Sequence, residues 1–259
     1  MNARTVQPNR QERAFSLIEL LVVIAVIGLL AGIGVPARKG LGGTNDSGAA
    51  VRQLLDDLAY ARLKAINDRT TVYVVFASDQ ILRQPWNQQQ KQEAAKRAQY
   101  QFTSYLLYAQ RSLGDQPGPG TPRYITDWQT LPAGIFIPTN KFNYKDEPNA
   151  ELLPLATRPL PHPLIPFPEA TNQTRIPLPT IAFDYQGRLA GQNSDIILPI
   201  SRGTVIFPQE KDPLSLDAAE VIETPRNNYT NNPAIRIDWL TGRARVVQPE
   251  KMDYAALTF

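Results

Sequence analysis

The apolar positions near the start of this chain follow two different patterns. From Phe15 to Val35 the sequence is continuously apolar, with Glu19 as its one charged residue. A helix of that length rises about 30 Å, which matches the hydrocarbon core of a bilayer. From residue 51 to 66, apolar residues instead recur every three or four positions between charged ones. That spacing predicts an amphipathic helix with one face packed on a sheet.

A glycine-rich stretch, residues 38–48, separates the two patterns. Glycine clusters favour loops, so we expect this stretch to end or interrupt the first helix, with Asp46 or Ser47 capping the next. The predicted organisation is then residues 1–14 before the membrane, a transmembrane helix at 15–37, a hinge at 38–48 and a globular domain at 49–259.

The globular domain has the composition of antiparallel β-structure. Segments rich in β-branched and aromatic residues predict strands at residues 70–76, 100–109, 180–185, 195–207 and 234–248. A polar segment at residues 84–97 predicts a short helix or a loop. The predicted fold class is therefore α+β: a long N-terminal helix, transmembrane and then amphipathic, packed on an antiparallel β-sheet.

Proline interrupts this domain. The chain has 23 prolines, and they are concentrated between residues 138 and 179. Proline cannot donate to a sheet and favours irregular connections, so we interpret this tract as an insertion into the domain. It either covers the sheet or faces a partner.

Charge indicates the orientation of the chain. The formal net charge is +3, and Arg4, Arg10 and Arg13 against Glu12 place most of it before Phe15. The positive-inside bias puts residues 1–14 in the cytoplasm and the globular domain on the other side of the membrane. The nearly neutral body shows no broad electrostatic footprint for nucleic acid, so a nucleic-acid partner is not expected.

Glu19 is the residue that most needs an explanation. An unpaired carboxylate inside the apolar segment costs on the order of 2.5–3.5 kcal/mol, so something must neutralise it. An acid that snorkels to the interface or stays protonated is one answer. A secretory signal peptide is the rival reading of the whole segment, but its apolar run is shorter and Val35-Pro36-Ala37 is a weak cleavage site.

The run Arg13-Ala14-Phe15-Ser16-Leu17-Ile18-Glu19-Leu20 resembles the processing site of type IV prepilins and type II secretion pseudopilins. The resemblance implies that prepilin peptidase cuts between Ala14 and Phe15 and methylates the new amine of Phe15. Alanine replaces the usual glycine before the cut. The resemblance also implies that Glu19 pairs with the free N-terminus of a neighbouring pilin-like subunit, and that Pro36 marks the exit of the helix from the membrane.

The resemblance continues beyond the cleavage site. Residues 58–66 followed by a strand, residues 128–135 and residues 235–243 are similar to minor pseudopilins of the H and FimT type. The Thr241-Gly242 pair in the last segment predicts the turn of a hairpin. The size and the insertions resemble the large pseudopilin-like proteins of Verru_Chthon cassette D.

Catalytic chemistry finds little support in the sequence. The chain has no cysteine, and His162, predicted to be an exposed loop residue, is its only histidine. Histidine triads and multi-histidine metal sites are therefore impossible. Asp56 and Asp57 are neighbours in the predicted helix and point about 100° apart, which is typical of a solvated face. We expect no cofactor, no metal and no enzymatic activity.

Three functions remain open. The leading one is a structural subunit of a secretion or pilus-like filament. Gly242-Arg243-Ala244-Arg245 resembles an arginine motif of DNA-binding FimT-like pilins, in which Arg243 and Arg245 grip phosphate. The third is a membrane-anchored recognition domain that does not polymerise, with tryptophans as binding platforms; the candidates are Trp86, Trp128 and Trp239.

Overall fold

The structure, a computed structural model, describes most of the globular domain and part of the N-terminal helix. The described residues are 17–84, 86–112, 114–115, 120–143, 153–167, 169, 174–207, 218–225 and 230–248, and the side chains of residue 19 and residues 27–46 are outside that description. The chain divides into two compact units, residues 1–44 and residues 45–259. The predicted leader, residues 1–14, lies outside the described residues.

The first helix, α1, runs from Leu17 to Asp68 without a break. The expectation that it ends or is interrupted within residues 38–48 is therefore wrong. Pro36 lies within α1, and its role as the point where the helix leaves the membrane stays a prediction. Glycine costs a helix about 1 kcal/mol relative to alanine but keeps its backbone amide, and a single proline removes only one helical hydrogen bond. Ser47 does not cap a new helix, because α1 continues through it, and its Oγ accepts a hydrogen bond from Arg202 Nε at 2.6 Å.

A second helix and short strands follow α1. The second helix, α2, covers Gln88–Ala98, and Asn87 caps its N-terminus. The strands are β1 Val72–Phe76, β2 Ser104–Ala109, β3 Arg123–Tyr124, β4 Gln129–Thr130, β5 Ile135–Phe136, β6 Leu164–Pro166, β7 Arg175–Pro177, β8 Thr180–Phe183, β9 Ile196–Pro199, β10 Ser201–Ile206, β11 Glu220–Glu223, β12 Ala234–Ile237 and β13 Ala244–Val247.

The main sheet has the strand order β3-β2-β1-β8, with β4 also paired to β2, and its pairings are antiparallel. The apolar stripe of α1 packs on one face of this sheet, as the periodicity of residues 51–66 predicts. Alternate residues of β1 and β2 meet it, because side chains of a strand alternate between faces. The buried residues of the stripe are Ala50, Val51, Leu54, Leu58, Ala61 and Ala65.

The proline-rich tract covers the opposite face of the main sheet. Val75 and Leu106 on this face pack with Ile165 and Phe167 of the tract in one buried cluster. Tyr124 of β3 donates a hydrogen bond to the carbonyl of Pro166 at 2.5 Å. Of the two roles that the sequence left open for the tract, covering the sheet is the one that the structure shows.

Three smaller sheets complete the described domain: β11-β10-β5, β13-β12-β9 and the two-stranded sheet β6-β7. The predicted strand at residues 195–207 is in fact two strands, β9 and β10, which join different sheets on either side of Ile200. Strands β12 and β13 form the predicted C-terminal hairpin, and Gly242 in its turn has φ +63°. The described domain is an antiparallel α+β fold, as the sequence predicts.

Candidate functional site

The predicted processing site lies at the start of α1. Ala14 and Phe15 are outside the described residues, which begin at Leu17. Glu19 lies in the first turn of α1, but its side chain is also outside the description. The structure therefore places the backbone of Glu19 in a helix, and the pairing of its carboxylate remains a prediction.

The first described turns of α1 are exposed on all sides. The exposed apolar side chains in this part of the helix are Leu17, Ile18, Leu20, Leu21, Val22, Val23, Ile24 and Val26. A helix that is apolar all round needs another apolar environment to cover it. Within the described residues, no helix has the combination of length and hydropathy required to span a bilayer.

A partly buried hydrogen-bond cluster joins the second half of α1 to the main sheet. The hydroxyl of Tyr105 donates to Asp57 Oδ2 at 2.5 Å and accepts from Gln53 Nε2 at 3.1 Å. Burial, followed by the hydrogen bond to Asp57, raises the pKa of Tyr105 above its usual value. Asp57 therefore belongs to the helix–sheet interface, and the expectation that it is a solvated surface residue is wrong.

Arg62 joins the same helix to the C-terminal part of the domain. Its Nε donates to the carbonyl of Gly187 at 3.0 Å and to the carbonyl of Thr241 at 2.8 Å. These carbonyls belong to two different turns, one after β8 and one between β12 and β13. Together with the Tyr105 cluster, Arg62 ties α1 to the main sheet and to the C-terminal hairpin.

The two candidate DNA-contacting arginines lie on the C-terminal hairpin. Arg243 precedes β13 and Arg245 lies within it, and both are exposed. Arg245 is opposite Arg236 in the register of β12 and β13. Arg236 is paired with Asp195, with its Nε and one terminal nitrogen each 2.6 Å from Oδ2. This part of the hairpin therefore offers two exposed guanidinium groups and a third that a carboxylate already neutralises.

The three tryptophans do not form one platform. Trp86 is a core residue whose Nε1 donates to the carbonyl of Ile81 at 2.6 Å. Trp128 is half-buried and stacks on Tyr100, with ring centroids 5.5 Å apart. Trp239 is exposed beside the turn of the C-terminal hairpin.

The proline-rich tract holds two titratable groups that the sequence did not identify as buried. His162 is half-buried rather than exposed, and burial lowers its pKa from the usual 6.5. Lys141 is 1 % exposed, with its amine directed at backbone carbonyls. Nothing in the local pattern around Lys141 distinguishes it from a surface lysine, so sequence reasoning had no signal for its burial.

Candidate metal sites can also be assessed within the part of the chain that the structure describes. There, no three side chains among histidine, aspartate and glutamate come together in a way that could hold a metal ion.

The comparison with known families bears on the N-terminus. A family model described as "Prokaryotic N-terminal methylation motif" matches residues 9–35. No curated protein and no solved structure matches the chain. The motif implies processing by prepilin peptidase and assembly with other pilin subunits. The match supports the assignment of this chain as a type IV pilin-like protein.

Proposed function

We propose that this chain is a non-catalytic structural subunit, a minor pseudopilin, of a type II secretion or type IV pilus-like filament. One observation carries the proposal: the methylation motif at residues 9–35 overlaps the first half of α1, whose second half packs on an antiparallel sheet. Before assembly the subunit is a single-pass protein of the inner membrane, with residues 49–259 on the outer side.

Charge compensation at the N-terminus supports the assembly step. Cleavage between Ala14 and Phe15 creates an ammonium group immediately before an apolar helix. Glu19 is the single carboxylate within that helix's first apolar stretch. Each of the two charges alone is costly in hydrocarbon, and removing one partner of a buried pair costs about 3–5 kcal/mol. A filament in which one subunit's amine meets the next subunit's Glu19 stabilises both charges.

The contacts of α1 with the domain suit a filament subunit. A force on the N-terminal helix reaches the folded domain through α1, and the Tyr105 cluster and Arg62 resist separation of that helix from the sheet. Each of these contacts includes a charged group, and hydrogen bonds to charged groups are worth about 1.5–3 kcal/mol.

The test combines processing with assembly. The full chain is produced with prepilin peptidase, extracted from membranes and analysed by mass spectrometry of its N-terminal peptide. We expect an N-terminus at methylated Phe15. Glu19→Leu should leave processing and insertion intact and reduce crosslinking into filaments at least tenfold, with Glu19→Asp partly restoring it.

Glu12→Leu is the matched control, because the same substitution falls on a residue that cleavage removes. It should not alter crosslinking. Retention of Met1 through Ala14 in the mature protein would overturn the proposal and favour the anchored recognition domain. Normal crosslinking of Glu19→Leu would remove the charge-pairing step.

A further inference from the structure

A segment of the proline-rich tract lies over the sheet formed by β9, β12 and β13. We call residues 153–160 the strap. Leu155 and Ala156 of the strap are buried against Ile197 of β9 and Ala234 of β12. These four residues form a small apolar cluster of their own, with Val247 at its border. Leu160, at the end of the strap, is anchored in the main core. The part of the strap from residue 153 to residue 158 therefore covers one face of this sheet with few apolar contacts, and other interactions must hold it.

Lys141 supplies those interactions. Its Nζ donates to the carbonyl of Leu155 at 3.1 Å and to the carbonyl of Arg158 at 2.5 Å. Its own carbonyl accepts from the amide of Leu160 at 2.9 Å. Lys141 thus contacts the strap at three backbone positions, and its side chain is 1 % exposed.

Among the residues that the structure describes, the charged groups around Lys141 do not compensate an ammonium. Arg158 carries the same sign, and its terminal nitrogens donate to Ser194 Oγ at 3.0 Å and to the carbonyl of Leu153 at 3.2 Å. Asp195 lines the same small cavity of about 20 Å³. Its Oδ2 is bound by Arg236 at 2.6 Å, and its Oδ1 accepts from the amide of Trp239 at 2.9 Å.

A neutral amine fits this site better than an ammonium. The neutral form has two N–H donors, which match the two carbonyl acceptors. In the described part of the chain, two carbonyls accept from Nζ, so the third donor of an ammonium has no bonded protein acceptor there, and the cavity has room for about one water. In agreement, burial, with the charge of Arg158 second, lowers the pKa of Lys141 from 10.5 to about 7.

We propose that the strap is a pH-responsive cover, held closed by the neutral amine of Lys141 and released more readily when the amine can take up a proton in the open state. Opening exposes the apolar face at Ile197 and Ala234, on the sheet that also carries Arg245. The proposal does not depend on filament assembly.

The direction of the pH effect follows from the two protonation states. Between pH 7 and 10.5 the open strap binds a proton that the closed strap does not, because the pKa of Lys141 is about 7 when closed. Each unit of decreasing pH in this window therefore favours opening about tenfold. Below pH 7 both states are protonated and the effect ends.

Among the described residues near the strap, His162 is a second titratable group with a shifted pKa. The ring of His162 lies within hydrogen-bonding reach of the backbones of Leu160 and Phe142, and burial lowers its pKa from the usual 6.5. His162 is therefore neutral above pH 7 in both states of the strap. Asp195 and Arg158 line the cavity beside Lys141 in the described part of the chain, and Asp195 is paired with Arg236.

The absence of cysteine from the chain allows a clean test. Ala156→Cys places a single thiol under the strap, and its rate of reaction with a disulfide reagent reports opening. The full chain in mild detergent is labelled between pH 7.5 and 9.5, and each rate is divided by that of a peptide of residues 153–160 with the same cysteine. We expect protection to rise about 100-fold across this range.

Three further chains complete the design. Ala61→Cys, under α1, reports global unfolding and should be labelled more slowly than Ala156→Cys. Lys141→Met in the Ala156→Cys chain should abolish the pH dependence, whereas Lys96→Met, at a mostly exposed lysine, should retain it. If protection does not change with pH, or if both cysteines react at one rate, the proposal fails. These two measurements use the native Lys141, so they decide the matter even if Lys141→Met does not fold.

Discussion

A single Cβ atom added in the turn of the C-terminal hairpin tests how closely this turn packs against the turn after β8. Gly242 is buried in this turn with φ +63°, a conformation that side chains rarely adopt. A Cβ at this position would lie 2.0 Å from the carbonyl oxygen of Gly187 and 3.2 Å from Phe183 Cδ1. Gly242→Ala therefore perturbs both the backbone conformation and the contact between two turns.

The expected decrease in the free energy of unfolding is the sum of these two effects. Placing alanine in the left-handed region costs about 1–2 kcal/mol. Forcing the two turns apart adds about 1–3 kcal/mol, as overpacking does in a core, and also strains the hydrogen bonds of Arg62 to both turns. We expect Gly242→Ala to lower the free energy of unfolding by roughly 2–5 kcal/mol.

Gly191 provides the matched control. Its φ is +66°, but a Cβ there would have nothing within 4 Å. Gly191→Ala should therefore show the conformational cost alone, about 1–2 kcal/mol. Both variants are compared with the unaltered chain by denaturant unfolding followed by tryptophan fluorescence. Equal destabilisation by the two substitutions would refute the close contact between the turns.

Two other predictions concern the helix–sheet interface and the hairpin. A double-mutant cycle of Asp57→Asn and Tyr105→Phe should give a coupling energy of about 0.5–3 kcal/mol in denaturant unfolding, because the two groups share one hydrogen bond; strictly additive effects would contradict it. In a DNA retardation assay at low salt, we expect no shift, since the body is nearly neutral and Arg236 is already paired. A shift that Arg243→Ala and Arg245→Ala abolish would instead favour the DNA-binding reading.

Much of the fold follows from local sequence patterns. The spacing of Leu54, Leu58 and Ala61 predicts the buried stripe of α1, and the β-branched run at residues 70–76 predicts β1. The Thr241-Gly242 pair predicts the turn of the C-terminal hairpin. In each case the preference of the residues and their packing in the domain favour the same structure.

The errors arise where distant contacts decide the structure. Nothing around Ile200 indicates that the chain changes sheets there, because a strand pattern does not specify its partner. Glycines in residues 38–48 favour a break locally, yet α1 is continuous. Lys141 is buried because carbonyls some fourteen residues later accept its hydrogen bonds, and periodicity contains no such information.

In the candidate site, too, some features follow from the local sequence and others depend on contacts between distant residues. The segment from Arg13 to Leu20 is recognisable because peptidase recognition depends on a short contiguous stretch, and the family match at residues 9–35 agrees with it. The roles of Asp57 and Arg62 depend on atoms more than 40 positions away in the chain, and they could only be found once the domain was folded.

The way in which the main sheet is enclosed affects how the molecule can be engineered. Because Ile165, Phe167, Ile176 and Leu178 share a buried cluster with the sheet, the proline-rich tract is an integral part of the hydrophobic interior. Deleting it to obtain a smaller domain would expose the aliphatic and aromatic side chains on that face of the main sheet to water. A shortened version should therefore be designed by cutting elsewhere, and reporter tags should not be inserted within β6 or β7.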